Sequence, residues 1–145
     1  MASLEPQGTT RIDDVISGAV ESLPGRSMLI IVSDLLTDME STLNSLKLLH
    51  ARGMELILFH ILHPDEITLP FEGDILFESL EDEPSITLDP LDIREAYQNM
   101  ALGRIEFYRK NCAALGVDYL FLETTNPLEQ ALTYYLLKRK SLCKK

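Results

Sequence analysis

A chain of 145 residues with 46% hydrophobic and 25% charged side chains is long enough to bury a core and too apolar to stay disordered. Its formal net charge of −10 works against binding a polyanion, and no nucleic-acid-binding fingerprint opposes that reading.

Thr9 and Thr10 precede Ile12, Val15, Ile16, Ala19, Val20 and Leu23, the spacing of an amphipathic helix with a threonine N-cap, and Pro24-Gly25 ends it. Met28 to Val32 is a continuous apolar run, which predicts a strand buried on both faces. Asp38 is placed to cap a helix whose inner side carries Met39, Leu43, Leu46 and Leu49, with Gly53 as its C′ residue. A second buried strand is predicted from Met54 to Leu62, followed by a polar turn around Pro64. Ile75-Leu76-Phe77 and Ser85-Ile86-Thr87 read as a small hairpin around the acidic turn Glu81-Asp82-Glu83. From Pro90 to Leu115 the residues Ile93, Tyr97, Met100, Ala101, Ile105, Tyr108, Cys112 and Leu115 recur at three- and four-residue steps, predicting a long helix that Gly116 stops. Val117 to Leu122 is a third buried strand. Asn126-Pro127 opens a last helix with Leu128, Ala131, Leu132, Tyr135 and Leu136 inward.

Buried strands alternating with helices predict an α/β fold, a three-layer sandwich with a mainly parallel sheet, plus the inserted β-hairpin, all in one domain over residues 1–145. One mismatch stands out. A wholly apolar strand such as Met28–Val32 belongs inside a sheet with neighbours on both sides, and this chain supplies a partner for one side only. The edge at Met28–Val32 is therefore expected to be both apolar and open.

The cysteines, Cys112 and Cys143, lie far apart and form no CxxC pair, so a disulfide framework is not expected and a reducing, cytoplasmic setting fits. Met1 to Gln7 lacks the apolar core of a signal peptide, and Met28–Val32 is too short to cross a bilayer. The basic cluster Lys138-Arg139-Lys140, with Lys144 and Lys145, suits the negative end of a helix.

Ligands of open α/β sheets bind beyond the C-terminal ends of the strands. Here those ends carry Ser33-Asp34 with Thr37-Asp38, then His60, His63, Asp65 and Glu66, then Glu123 and Asn126. Ser33 and Asp34 are hard oxygen donors of the kind that hold Mg²⁺ or Mn²⁺, although Asp34 or Asp38 equally suits a helix cap. His60, on a buried strand, reads as a hydrogen-bonded core histidine. No nucleophile elbow and no glycine-rich phosphate loop occurs.

Four stretches together resemble a known family. They are Gly8-Thr9-Thr10-Arg11-Ile12; Arg26 to Leu36 (RSMLIIVSDLL); Arg52-Gly53-Met54-Glu55 continuing through His60, Pro64, Glu66 and Leu69-Pro70-Phe71-Glu72-Gly73; and Tyr97 with Gly116-Val117-Asp118-Tyr119 and Pro127-Leu128. In this order they resemble the C-terminal part of the von Willebrand factor A-like (vWA-like) domain of DUF58 proteins. The resemblance implies a metal-ion-dependent adhesion site at the strand tips, in which Thr10 stands at the threonine position and Asp34 at the aspartate position. The DxSxS motif and the first three strands of such a domain have no counterpart, so the implied site is incomplete, and His63 replaces the family's usual aspartate.

The function expected is non-enzymatic: a binding or assembly module whose partner surface includes Ser33, Asp34 and Asp38. A MoxR-type AAA+ ATPase is the partner class that the resemblance implies, and a homodimer through the Met28–Val32 edge is the association that the open strand implies. The alternative is a small Mg²⁺-dependent phosphohydrolase using Asp34 and Asp38. A third reading is a degenerate domain that only packs against a neighbour.

Overall fold

A computed structural model describes residues 16, 18, 23, 24, 26–77 and 86–142. In chain order the elements are β1 (Met28–Ser33), α1 (Met39–Ala51), β2 (Glu55–Leu62), α2 (Asp65–Thr68), β3 (Ile75–Phe77), β4 (Ile86–Leu88), α3 (Pro90–Leu115), β5 (Asp118–Glu123) and α4 (Leu128–Leu142). Of the helix predicted before β1, Ile16 and Gly18 are described and helical, and Ile16 is buried. Thr9, Thr10, Gly25, the Glu81-Asp82-Glu83 turn and Cys143 lie outside the described residues.

The helices start and stop where local chemistry provides for it. Asp38 accepts a hydrogen bond from the Ser41 amide at 2.8 Å, satisfying a donor that the first turn of α1 leaves orphaned. Asp89 does the same for Leu91 at 2.9 Å, and Pro90 opens α3. Gly53 and Gly116 follow α1 and α3 at φ of 79° and 74°, a left-handed conformation that costs glycine little. The turn predicted around Pro64 winds further than expected, into the single-turn helix α2.

β1, β2 and β5 form a three-stranded parallel sheet in the order β1-β2-β5, with Ser33 opposite His60 and His60 opposite Phe121. β3 and β4 pair antiparallel as a separate hairpin, Ile75 opposite Leu88. β2 is central because its residues pack on both sides. Leu56 and Leu58 join Leu46, Leu49, Tyr108 and Cys112, which α1 and α3 bring to one face. Ile57 and Phe59 meet Tyr135 of α4 on the other. The chain is thus a three-layer α/β sandwich with a small hairpin inserted between β2 and α3. α4 is fastened across its face: Tyr135 stacks edge-on against Phe59, its hydroxyl donates to Asp118 at 3.0 Å, and Arg139 bonds both the Tyr135 hydroxyl and Glu55.

Several expectations about burial are corrected. β1 is an edge strand whose residues alternate in exposure, so it is not buried on both faces: Met28, Ile30 and Val32 are 49%, 53% and 62% exposed. The cause is α4, whose described core contacts are to β2 and β5, leaving the β1 end of that face open. β5, the opposite edge, is half-buried along its length. On α3, Met100 and Ile93 face solvent, because the helix turns Ala101, Ile105, Tyr108 and Cys112 to the sheet and Met100 lies about 100° round from Ala101. On α4, Tyr135 is buried but Leu132 and Leu136 are exposed.

Candidate functional site

The loop leaving β1 is a tight, self-bonded structure. Ser33 Oγ accepts from the Leu35 amide at 3.1 Å, and Asp34 Oδ1 accepts from the Leu36 amide at 3.2 Å, with Ser33 Oγ 3.4 Å from the same carboxylate oxygen. Leu35 has φ of 55°, a conformation unusual for a residue with a Cβ, and its side chain is fully buried while Leu36 is exposed. The strain is held from below. Arg104 of α3 donates from one guanidinium nitrogen to the carbonyls of Leu35 and Thr37, at 2.7 and 2.8 Å. Such charge-assisted bonds are roughly twice as strong as neutral ones. α3 holds the next loop in the same way: Arg94 bonds the Leu69 and Phe71 carbonyls, and Gln98 bonds the Thr68 carbonyl at 2.7 Å.

Behind the loop lies a buried polar–aromatic cluster. His60 is fully buried, as expected of a core histidine, and its Nδ1 is 2.8 Å from the Tyr119 hydroxyl. Tyr108 and Phe121 meet its ring edge-on at 5.9 and 5.6 Å. Its Nε2 is buried without a hydrogen-bond partner among the described residues. Burial pushes the His60 pKa down. The Asp34 main chain is near enough to favour the charged ring, yet short of a well-formed hydrogen bond; Arg104 opposes the charged ring and the Asp34 carboxylate favours it. Burial likewise pushes the Tyr108 and Tyr119 hydroxyls up. Thr37 and Thr42 share a 2.9 Å hydrogen bond beside Tyr108.

The sequence-derived site residues fall into separate places. Ser33 and Asp34 are adjacent at the exposed tip of β1, whereas Asp38 is turned into the N-cap of α1. His63 and Asp65 pair at 3.4 Å within their own turn, and Glu66 accepts from the His63 amide at 2.6 Å. Glu123 closes a turn through its carbonyl, which accepts from the Asn126 amide. Thr10 lies outside the described residues. Among the described residues no group of three His, Cys, Asp or Glu converges, and Ser33 Oγ and Asp34 Oδ1 each accept from a loop amide. Arg104 and Thr42 were not singled out from the sequence, where Tyr108 is a residue of the helix stripe, Tyr119 part of the family resemblance and Thr37 a strand-end residue. Arg104 had a signal there, since it lies three residues from Ala101 and four from Tyr108, on the buried stripe of α3.

What this arrangement presents outward is a surface. The open strand β1 carries an exposed apolar row that ends at the exposed polar tip Ser33-Asp34, and Arg104 anchors that tip to α3. No described helix is long and apolar enough to cross a membrane. No curated protein and no solved structure matches the chain. A family model described as protein of unknown function DUF58 matches residues 1–104, from the N-terminus into α3, and since this is well over half of the 145 residues, the chain belongs to the DUF58 family.

Proposed function

We propose that this DUF58 chain is a non-enzymatic, vWA-like protein-binding and assembly module that works through the open edge of its sheet. One observation carries the reading: among the described residues β1 ends the sheet, with Met28, Ile30 and Val32 about half exposed. Edge strands in free-standing proteins are blunted by charged side chains, prolines or bulges. Met28 to Ser33 has none of these, and its pairing with β2 runs without interruption. β5, by contrast, carries a carboxylate at each end, Asp118 and Glu123. Unprotected strand edges are surfaces onto which another chain adds a strand. The tip Ser33-Asp34 then contributes polar contacts at the end of that row, and a MoxR-type AAA+ ATPase is the partner class that the family resemblance implies.

A photo-crosslinking residue in place of Val32, with a second placed at Glu106 on the exposed side of α3, tests this in the expressing cell. Covalent adducts to a protein chain at position 32 and not at 106 support the proposal. Equal or absent adduct formation at the two positions overturns it.

A further inference from the structure

We infer that the strand added to this edge is β1 of a second copy, running antiparallel about a two-fold axis at Ile30; the inference rests on the proposed use of the β1 edge. The segment Arg26-Ser27-Met28-Leu29-Ile30-Ile31-Val32-Ser33-Asp34 is self-complementary when reversed. About a centre at Ile30, Met28 faces Val32 of the other copy, Leu29 faces Ile31, serine faces serine, and Arg26 faces Asp34. Arg26 and Asp34 are both exposed and flank the two ends of β1.

The hydrogen-bonding sense of the strand agrees with this register. Ser27 gives its carbonyl to the Glu55 amide at 2.9 Å, and Met28 is the residue opposite Glu55. Main-chain groups along a strand alternate in direction, so Ser27, Leu29, Ile31 and Ser33 face β2. Met28, Ile30 and Val32 present theirs to the open side. In an antiparallel ladder, residues that exchange both bonds stand directly opposite each other and project side chains to the same face. With Ile30 opposite Ile30 and Met28 opposite Val32, every outward main-chain group of these residues is paired. The exposed apolar rows of the two copies then meet on one face, each covering the other. A two-fold axis makes each contact occur twice, so two Arg26–Asp34 pairs close the ends of the interface. A register shifted by one residue along the partner sets inward-facing groups against outward-facing ones, and a parallel pairing places arginine beside arginine.

The test is sedimentation of the purified full chain over a range of concentrations at physiological salt, with denaturant unfolding as a check that each variant folds. The wild-type chain is expected to dimerise, and Ile30→Lys, which sets two ammonium groups at the axis, to be monomeric. Ile30 is exposed and its amide faces away from β2, so the substitution removes nothing from the monomer's own ladder. Arg26→Asp places like charges at both ends and is expected to weaken the dimer on the order of tenfold. Arg26 sits at φ of 68°, a conformation that aspartate accepts. Asp34→Arg is expected to weaken it similarly, and the double exchange to restore it. A monomeric wild-type chain, or a dimer indifferent to Ile30→Lys, overturns the inference. A dimer that Ile30→Lys breaks but the double exchange does not rescue overturns the register. A monomer that still yields adducts to a different protein at position 32 leaves the proposed function standing and removes the self-pairing alone.

Discussion

His60 makes the stability of this chain depend on pH in a window where few other side chains titrate. The ring is fully buried, its Nδ1 is engaged with the Tyr119 hydroxyl and its Nε2 is unpartnered among the described residues, so the fold favours the neutral form and lowers the pKa. The unfolded chain takes up a proton near the ordinary histidine value of about 6.5. Because the unfolded state binds that proton first, His60 destabilises the fold as pH falls below about 6.5, and its neutral-state stability is fully present above that value. The ceiling on the slope is about 1.4 kcal/mol per pH unit, reached between the unfolded pKa and the lowered folded one. The assay is urea unfolding followed by circular dichroism, from about pH 7.5 down to about pH 5.5. It compares the wild-type chain with His60→Gln, which keeps a polar partner for Tyr119, and with His60→Phe, which suits the surrounding rings. The other histidines and the carboxylates are common to all three and cancel in the difference. The wild-type curve is expected to fall away from both variants on acidification, by up to about 1.4 kcal/mol over the first unit below the unfolded pKa. Parallel curves would refute the reasoning, because they would mean that the ring takes up its proton as readily folded as unfolded.

Arg104→Ala is expected to cost about 2–4 kcal/mol in denaturant unfolding, since it leaves the carbonyls of Leu35 and Thr37 without their charged donor and releases a strained turn; Arg104→Lys, which keeps the charge on a shorter side chain, should recover only part. Leu46→Ala, at a fully buried position, should cost about 2–5 kcal/mol. Leu136→Ala, at a position 61% exposed, should change stability by less than about 0.5 kcal/mol, and a large loss there would contradict the placement of α4. Asp38→Ala should lower stability by about 1 kcal/mol as an N-cap loss, without changing association of the chain, which separates its role from that of Asp34. In a Cys143→Ser background the Cys112 thiol, fully buried and with its pKa pushed up to about 11, should react with a thiol reagent only as fast as the chain unfolds.

The alternation of strands and helices was legible in the sequence because each strong signal was local. Asp38 with Gly53, and Pro90 with Gly116, mark α1 and α3 to within a residue or two, and the chain obeys them. Which residues of α3 and α4 face inward was less legible. Both helices carry more apolar residues than one stripe needs, so periodicity alone admits Met100 beside Ala101 and Leu136 beside Tyr135. The sheet decides between them through contacts distant in the chain, such as the Tyr135 hydroxyl on Asp118. The tip of the site was half legible. Ser33 and Asp34 announce themselves as a polar pair after an apolar strand, but the arginine that holds their loop lies about 70 residues downstream. Only its position on the buried stripe of α3 betrays it. The Tyr108–His60–Tyr119 cluster joins residues from α3, β2 and β5, and no spacing within the sequence connects them.

β1 is where sequence and fold part most usefully. An apolar run without alternation predicts burial on both faces. The fold of the described residues accounts for only half of that run: Leu29 and Ile31 pack against the core shared with α1 and α3, while Met28, Ile30 and Val32 stand about half exposed. An edge row left to water gains nothing from being apolar and risks promiscuous pairing, which is why such edges are ordinarily charged or broken. β5 meets that demand with Asp118 and Glu123 at its ends, whereas β1 has its charged residues only beyond the strand, Arg26 before it and Asp34 after it, with opposite signs. The apolar row is therefore the sequence of an interior strand, and the two flanking charges fit the directional interface inferred above. A strand supplied in parallel from another chain would satisfy the first property alone; an antiparallel copy satisfies both. The Arg26→Asp, Asp34→Arg exchange distinguishes these cases, because only the second requires the two charges to be read together.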